Sequence, residues 1–266
     1  ASDGNAKVKG SVYGGSESGF VQDDAFVTIK KGEIGTTTYG DIYGGGRGLS
    51  NFAEAGRLKG GTTIAVDGGT THGSVYGGGE LGIVTGAVLV NINDGTIEKD
   101  VYGGGALANT NTNNWDGTTL TETYLEVGGL IAGTSSVAGY YTKSGDTYSE
   151  ATGKALADTK YYRKVNTTVN LLGGTIKGDA YGGGLGDLET RGTGHSNVAA
   201  LVYGDVFVTL DGTAFDITKY EGKDIVKSGR VFGCNNLNGS PKGDVTVTVN
   251  KTVTTASGVK RTTADP

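Results

Sequence analysis

The chain has 266 residues, a net charge of −5 and 51 glycines, so glycine makes up about 19% of it against a usual share of about 7%. Collagen is excluded, because glycine does not recur at every third position and there are only 2 prolines. Disorder is disfavoured, because 14 tyrosines and many Val and Thr residues accompany a low net charge. A repeat architecture remains as the reason for so much glycine.

Charge and hydropathy exclude two classes of partner. Lysines and arginines are scattered rather than gathered into a basic stripe, so we predict no nucleic-acid binding. The longest apolar run, Leu81 to Val90, is interrupted by glycine and threonine and is too short to span a bilayer, so we predict no membrane insertion. Cys234 is the only cysteine, which excludes an intrachain disulfide.

One phrase recurs along the chain and ends in an aromatic residue followed by glycines. The copies read GSVYGGS, GDIYGGG, GSVYGGG, KDVYGGG, GDAYGGG and GRVFGCN. Their aromatic anchors are Tyr13, Tyr43, Tyr76, Tyr102, Tyr181 and Phe232. We predict that these rings occupy equivalent positions and can stack as a ladder.

A short alternating segment precedes the anchor, as in TIAVDGGT, VLVNINDGTI and TVNLLGGTI. In these three copies the structural glycine, Gly69, Gly95 or Gly174, lies 7 residues before the tyrosine. Apolar residues alternate with period two, which predicts strands with one buried side. Each unit is therefore predicted to be a strand, a glycine turn, a short Thr-Ile strand, a second turn, a Val-Tyr strand and a glycine-rich loop.

None of these short strands could bury its apolar side alone. Stacking successive units would bury a continuous core, so we predict an all-β fold, a parallel β-solenoid resembling a β-helix, of about seven or eight irregular coils. Glycines after the tyrosine would supply corners with positive φ and allow close approach of stacked backbones. An antiparallel sandwich or barrel is the alternative, although hairpins do not need the same phrase at every turn.

We predict a single repeat domain over residues 1–266 with one long insertion over 106–165. The insertion holds a degenerate repeat copy, LEVGGLIAG, and an aromatic cluster. Exposed aromatic residues on loops often mark recognition surfaces, so the candidate ligand contacts are Trp115, Tyr140, Tyr141 and Tyr148. Packing of the same rings against the repeats is the alternative. The chain starts and stops near repeat boundaries without a capping helix, and we expect it to be a segment of a longer array.

Signals for catalysis and metal binding are weak. YGGG lacks the Lys and Ser/Thr of a P-loop and the helix of a dinucleotide site. GGLGDL is similar to a calcium-binding nonapeptide, so the candidates for a Ca²⁺ site are Asp187, Glu189 and Asp205. Its aspartate is out of register and no second copy supports it, so we predict no metal and no cofactor.

Other polar residues receive ordinary interpretations. His72 lies in a repeat turn and His195 in a glycine-rich loop, and no nucleophile elbow is present, so both are expected to be surface histidines. Asp23, Asp24 and Asp41 are expected to be solvated loop acids.

The repeated G-D-V-Y-G-G-G phrase, preceded by V-x-I-x-G-G-T-I, resembles the glycine-rich solenoid repeats of very large adhesin-like surface proteins of anaerobic gut and oral bacteria. The resemblance covers most of the chain except 106–165 and implies an extracellular structural or adhesive module without catalytic residues. Its implied partners are a host or bacterial surface protein, a glycan, or further copies of the repeat. The chain departs from the pattern at Phe232 and Cys234, which break the triple glycine, and at Ser136, where the degenerate copy lacks its aromatic residue.

Two functions follow from this sequence. The first is a non-enzymatic scaffold of a secreted or surface-anchored protein, rod-like and presenting loops for binding. The alternative is a polysaccharide lyase or hydrolase on a parallel β-helix, with Asp187, Glu189 and Asp205 in a surface groove. Acids and arginines are dispersed along the chain, which favours the scaffold. Ice binding is disfavoured, because no regular T-x-T column recurs in each unit.

Overall fold

The computed structural model describes residues 6–37, 39–112, 136–144, 147–152, 165–215 and 228–253, with the backbone alone described for 136–144 and 147–152. These ranges form an all-β fold with a 3₁₀ turn at Glu189–Arg191. The strands are β1 (Lys7–Val8), β2 (Val12–Tyr13), β3 (Ala25–Ile29), β4 (Glu33–Ile34), β5 (Ile42–Tyr43), β6 (Thr62–Thr71), β7 (Val75–Tyr76), β8 (Val88–Ile97), β9 (Val101–Tyr102), β10 (Ser136–Ser144), β11 (Thr147–Thr152), β12 (Thr167–Leu171), β13 (Thr175–Ile176), β14 (Ala180–Tyr181), β15 (Val206–Phe215), β16 (Val231–Phe232) and β17 (Val245–Val253).

The largest sheet has nine strands, and all of its pairs are parallel. Its long strands follow the order β3, β6, β8, β12, β15, β17, so each pairs with the equivalent strand of the next repeat. β12 and β13 lie end to end between β8 and β15 and pair with both, which closes a ring of four pairings.

Two further columns of parallel contacts accompany this sheet. The Val-Tyr strands form a six-stranded sheet in the order β2, β5, β7, β9, β14, β16. Single-residue parallel bridges form the third column, through Val21, Leu58, Val84, Thr110, Val202 and Pro241. The sequence predicts glycine-rich loops at this third column, because one bridging residue per unit carries no recognisable phrase.

Alternation along the long strands separates a buried side from an outer side. β8 and β12 both show buried residues at every second position. One apolar cluster runs through the equivalent residues Val27, Ile64, Val90, Val169 and Val208. Each of these side chains is covered by the same position of its neighbouring strands, so the core is continuous across the repeats.

Glycine serves two physical purposes. The close backbone approach expected after the tyrosine is present, whereas the positive φ lies after the long strand instead. Gly69 and Gly95 have φ of +82° and +92°, where the long strand shifts register before its Thr-Ile end. The predicted glycine turn is therefore a bulge within one strand in β6 and β8. After the tyrosine, Gly77 has no positive φ, but a Cβ there would overlap the carbonyl oxygen of Gly103. Close approach of the neighbouring backbone, rather than a turn with positive φ, therefore requires glycine at this position.

The predicted start of the insertion at residue 106 is too early. Thr110 bridges Val84 and Val202, so residues 106–112 belong to the stacked repeats. β8 pairs directly with β12, and β9 with β14. The degenerate copy LEVGGLIAG lies outside the described residues. The Val-Tyr sheet has six successive rungs, and the Thr-Ile ends of the large sheet follow one another in seven, through β1, β4, β6, β8, β13, β15 and β17. Within the insertion, β10 and β11 form an antiparallel hairpin.

Candidate functional site

The six aromatic anchors form one stack, called here the tyrosine column. Neighbouring ring centroids lie 4.7–5.0 Å apart with interplanar angles of 4–9°, in the order Tyr13, Tyr43, Tyr76, Tyr102, Tyr181, Phe232. The spacing matches that of parallel strands, because each ring comes from the same position of successive rungs. The column has its own buried cluster beside the main core, in which Leu107 and Leu185 also pack.

Carboxylates accept hydrogen bonds from most of the phenols in this column. The hydroxyl of Tyr13 donates to Glu80 at 2.5 Å and that of Tyr102 to Asp100 at 3.0 Å. Tyr43 and Tyr181 donate to the aspartate two residues before them, at 3.3 and 3.4 Å. Burial, followed by these neighbouring carboxylates, raises the pKa of all five tyrosines well above the ordinary range. The phenols therefore stay neutral donors.

The residue two places before each ring, called here the cap position, links every rung to the next. Its occupants are Ser11, Asp41, Ser74, Asp100, Asp179 and Arg230. The first five accept a hydrogen bond from the backbone N–H of the following occupant, at 2.6–3.3 Å. The expectation of a solvated loop acid was thus wrong for Asp41, which accepts from Ser74 N–H and the Tyr43 hydroxyl. The Gly-Asp or Gly-Ser that recurs before the Val-Tyr strand is the sequence pattern that could have predicted these hydrogen bonds between rungs.

An ion pair ends this ladder at the last copy of the phrase. The guanidinium of Arg230 donates to Asp179 at 2.6 Å, and Asp179 is buried. The hydrogen bonds and charge of Asp179 raise the pKa of Arg230. The guanidinium also lies 5.4 Å from the centroid of Phe232, a cation–π distance. Phe232 therefore keeps its place in the column without a hydroxyl.

Two other acids cap strand starts in the same way. Asp24 accepts from the N–H of Gly61 at 2.6 Å, and Asp205 from that of Asp244 at 3.0 Å. The candidate calcium ligand Asp205 is thus engaged in joining one rung to the next. Asp24 is exposed, as expected, although it too has this structural bond.

Asp187 is the centre of a polar cluster in the loop after Tyr181. Its carboxylate accepts from Arg191 at 3.0 Å and from Nδ1–H of His195 at 3.0 Å. Burial raises the pKa of this carboxyl, but the bonds from His195, Arg191 and backbone N–H groups outweigh burial and lower it to about 2. Glu189 is exposed on the 3₁₀ turn. In the part of the chain that the structure describes, no three acidic, histidine or cysteine side chains come together as a metal site.

The histidines both pair with carboxylates. His195 binds Asp187 as above, and Nε2 of His72 lies 3.4 Å from Glu33, which also accepts from Lys7 at 2.7 Å. Lys7 and then His72 lower the pKa of Glu33. Both histidine–carboxylate contacts therefore join neighbouring segments of the chain.

The backbone is described for three of the four candidate ligand contacts of the insertion. Tyr140 and Tyr141 are on β10 and Tyr148 is on β11, where it pairs with Lys143. Trp115 lies outside the described residues. Their role in binding stays a prediction.

Comparison with known proteins adds no relative: no family model, curated protein or solved structure matches the chain. In the described ranges, no helix is long and apolar enough to cross a membrane.

Proposed function

We propose that the chain is a parallel β-solenoid that serves as a non-enzymatic scaffold, the structural or adhesive repeat module of a secreted or surface-anchored bacterial protein. The observation that carries this proposal is the common order of the three columns of parallel contacts. The long strands, the Val-Tyr strands and the single bridges all follow the order of the sequence. A chain that returns to three equivalent positions in every repeat traces successive coils.

Three kinds of contact support a mechanical role. Parallel backbone hydrogen bonds, stacked rings and cap-position side chains all run along the stack and join each rung to the next. Because each coil contacts only its neighbours, such a scaffold can gain length by adding coils without redesigning its core. This arrangement suits an extended support.

The loops after the tyrosine column differ between repeats and supply the recognition surface of the proposed module. Residues 47–57 carry an Arg57–Glu54 ion pair, whereas residues 185–198 carry the Asp187 cluster. Variable loops on a regular support are a common place for binding residues. The resemblance to adhesin-like repeats adds the partner classes: a surface protein, a glycan or further repeats.

The enzyme alternative has a direct test in a turnover assay on acidic and neutral polysaccharides. We expect no release of reducing ends or unsaturated uronates above the blank, because Asp187 and Asp205 are engaged in structural bonds. Turnover that Asp187→Asn abolishes and Asp211→Asn retains would contradict the proposal. Asp211 is the matched control, since it is an exposed aspartate away from the loop.

A further inference from the structure

The outer side of the large sheet is an ordered array that neither the ladders nor the loops use. Every long strand contributes two outward residues to it, in register with the strands beside it. We call this array the outer face. One column contains Phe26, Thr63, Leu89, Thr168, Phe207 and Thr246, and the other contains Thr28, Ala65, Asn91, Asn170, Thr209 and Thr248.

None of these twelve positions carries a charge. Charged residues stand instead at both borders of the array. Asp24, Asp205 and Asp244 directly precede their strands, and Asp67 and Asp211 follow the second column. A protein surface of this extent normally includes Lys and Glu. The twelve positions therefore form a neutral strip between charged borders.

The neutral face offers apolar rings together with hydroxyl and amide groups. Phe26 is 72% exposed and Phe207 36% exposed, although both lie within strands of a folded sheet. Six threonines present hydroxyls between and around these rings. The amide of Asn170 donates to the amide oxygen of Asn91 at 2.9 Å, which fixes the orientation of both groups. Exposed rings and preoriented neutral polar groups form the surface.

This chemistry selects among ligand classes. Nucleic acids and other polyanions need lysine or arginine, which the face lacks. Protein interfaces gain most of their energy from Trp, Tyr and Arg, and none of these is present. Regular threonine columns for ice are interrupted by phenylalanine, leucine and asparagine. A neutral polymer with apolar faces and many hydroxyls matches both the rings and the hydroxyl and amide groups.

We propose that the outer face binds a neutral glycan laid across the rungs. With six rungs about 4.8 Å apart, the face is about 24 Å long, which accommodates several sugar units of a linear chain. Phe26 and Phe207 share one column four rungs apart and would contact sugar faces near its two ends. The inference deepens the proposed adhesive function, because it rests on the stacked rungs and names the ligand class.

Retention of the chain on insoluble cellulose and chitin, and affinity electrophoresis in β-glucan and mannan, test the proposal. The key variant is Phe26→Thr with Phe207→Thr, because threonine already occupies three equivalent positions of that column. We expect binding to at least one of these four glycans and a loss of about tenfold or more in the double variant. Phe20→Thr with Phe52→Thr is the matched control, since these rings are 57% and 55% exposed outside the face.

Polygalacturonate is included as an acidic glycan for comparison. The proposal is overturned if none of the four neutral glycans is bound by the folded chain, or if only polygalacturonate is bound. Equal loss in the control pair would also overturn it, as would full binding by the face variant. Near-ultraviolet circular dichroism of the tyrosine column verifies folding of each variant. Turnover that depends on Asp187 would instead defeat the scaffold function, so the two failures are distinguishable.

Discussion

The central strand β8 and the last described strand β17 carry the same alternating pattern in very different surroundings. Val90 of β8 is 0% exposed, whereas the equivalent Val247 of β17 is 43% exposed. β8 has parallel neighbours on both sides, and β17 pairs with β15 on one side. Val247 has one neighbouring long strand where Val90 has two, so the same alternating pattern leaves Val247 partly exposed.

This difference implies that stability depends on position along the stack. Stability of stacked repeats is approximately a sum of terms for single repeats and for nearest-neighbour interfaces. Identical changes should therefore cost more in a rung with two neighbours than in a rung with one. Three pairs of variants test that expectation, beginning with the largest effect, and a loop variant with a smaller effect follows them.

Alanine substitutions at the glycines after the aromatic anchors should give the largest difference in stability between an inner rung and an outer one. A Cβ on Gly77 would overlap the carbonyl oxygen of Gly103, whereas a Cβ on Gly233 would meet only side chains of the partly exposed β17. We expect Gly77→Ala to lower the free energy of unfolding by about 3 kcal/mol and Gly233→Ala by about 1 kcal/mol. Urea unfolding of both variants gives the comparison. Equal losses of unfolding free energy would show that the backbone accommodates an added Cβ equally well in both rungs.

Core truncation should give the next contrast. Val90→Ala removes the same two methyl groups as Val247→Ala, but only the first leaves a closed cavity. We expect costs of about 2–3 kcal/mol for Val90→Ala and below about 1 kcal/mol for Val247→Ala. The shift of the urea midpoint at constant slope measures both. A larger cost at Val247 would contradict the dependence on two neighbours.

The capping acids should follow the same order with smaller costs. Asp100 accepts from Asp179 N–H and from the Tyr102 hydroxyl inside the stack, whereas Asp205 accepts from Asp244 N–H at the last described rung. We expect Asp100→Ala to cost about 1–3 kcal/mol and Asp205→Ala about 0.5–1 kcal/mol. Asp100→Asn retains an acceptor oxygen and should recover part of the loss. No recovery would show that the charge, not the hydrogen bond, stabilises the rung.

The loop acid Asp187 should give the smallest effect, visible mainly as a dependence on pH. Its folded pKa of about 2 lies below the ordinary value of 3.8. Its stabilising contribution is therefore complete above about pH 4 and is lost as pH falls towards 2. Subtracting the urea midpoints of Asp187→Asn from those of the original chain isolates this window. A difference that stays constant from pH 5 to 2 would contradict the lowered pKa.

The sequence predicts the parts of the fold that repeat as phrases. Equal spacing between glycine and tyrosine, as from Gly95 to Tyr102, places the rings, and the alternation in β8 identifies its buried side. The parallel all-β character follows from the same regularity. These features can be predicted because the local pattern that specifies them recurs in each repeat.

The remaining features depend on contacts between repeats, which no single phrase contains. Asp41 looks like a loop acid until the next rung places Ser74 N–H against it. The bridge at Thr110 has no apolar or glycine signal of its own, so the sequence alone predicts that it belongs to the insertion. Likewise, the reason for Gly77 is the carbonyl of the rung beside it, not its own backbone angle.

Distances between spin labels on the outer face test the central claim of stacked parallel rungs most directly. In a Cys234→Ser background, labels replace Thr28 together with one equivalent residue, namely Asn91, Asn170, Thr209 or Thr248. Backbone separations should rise in steps of about 4.8 Å per rung, from about 10 Å for the Asn91 pair to about 24 Å for the Thr248 pair. Distances that do not increase with rung number, as in a sandwich or barrel of hairpins, would contradict the solenoid.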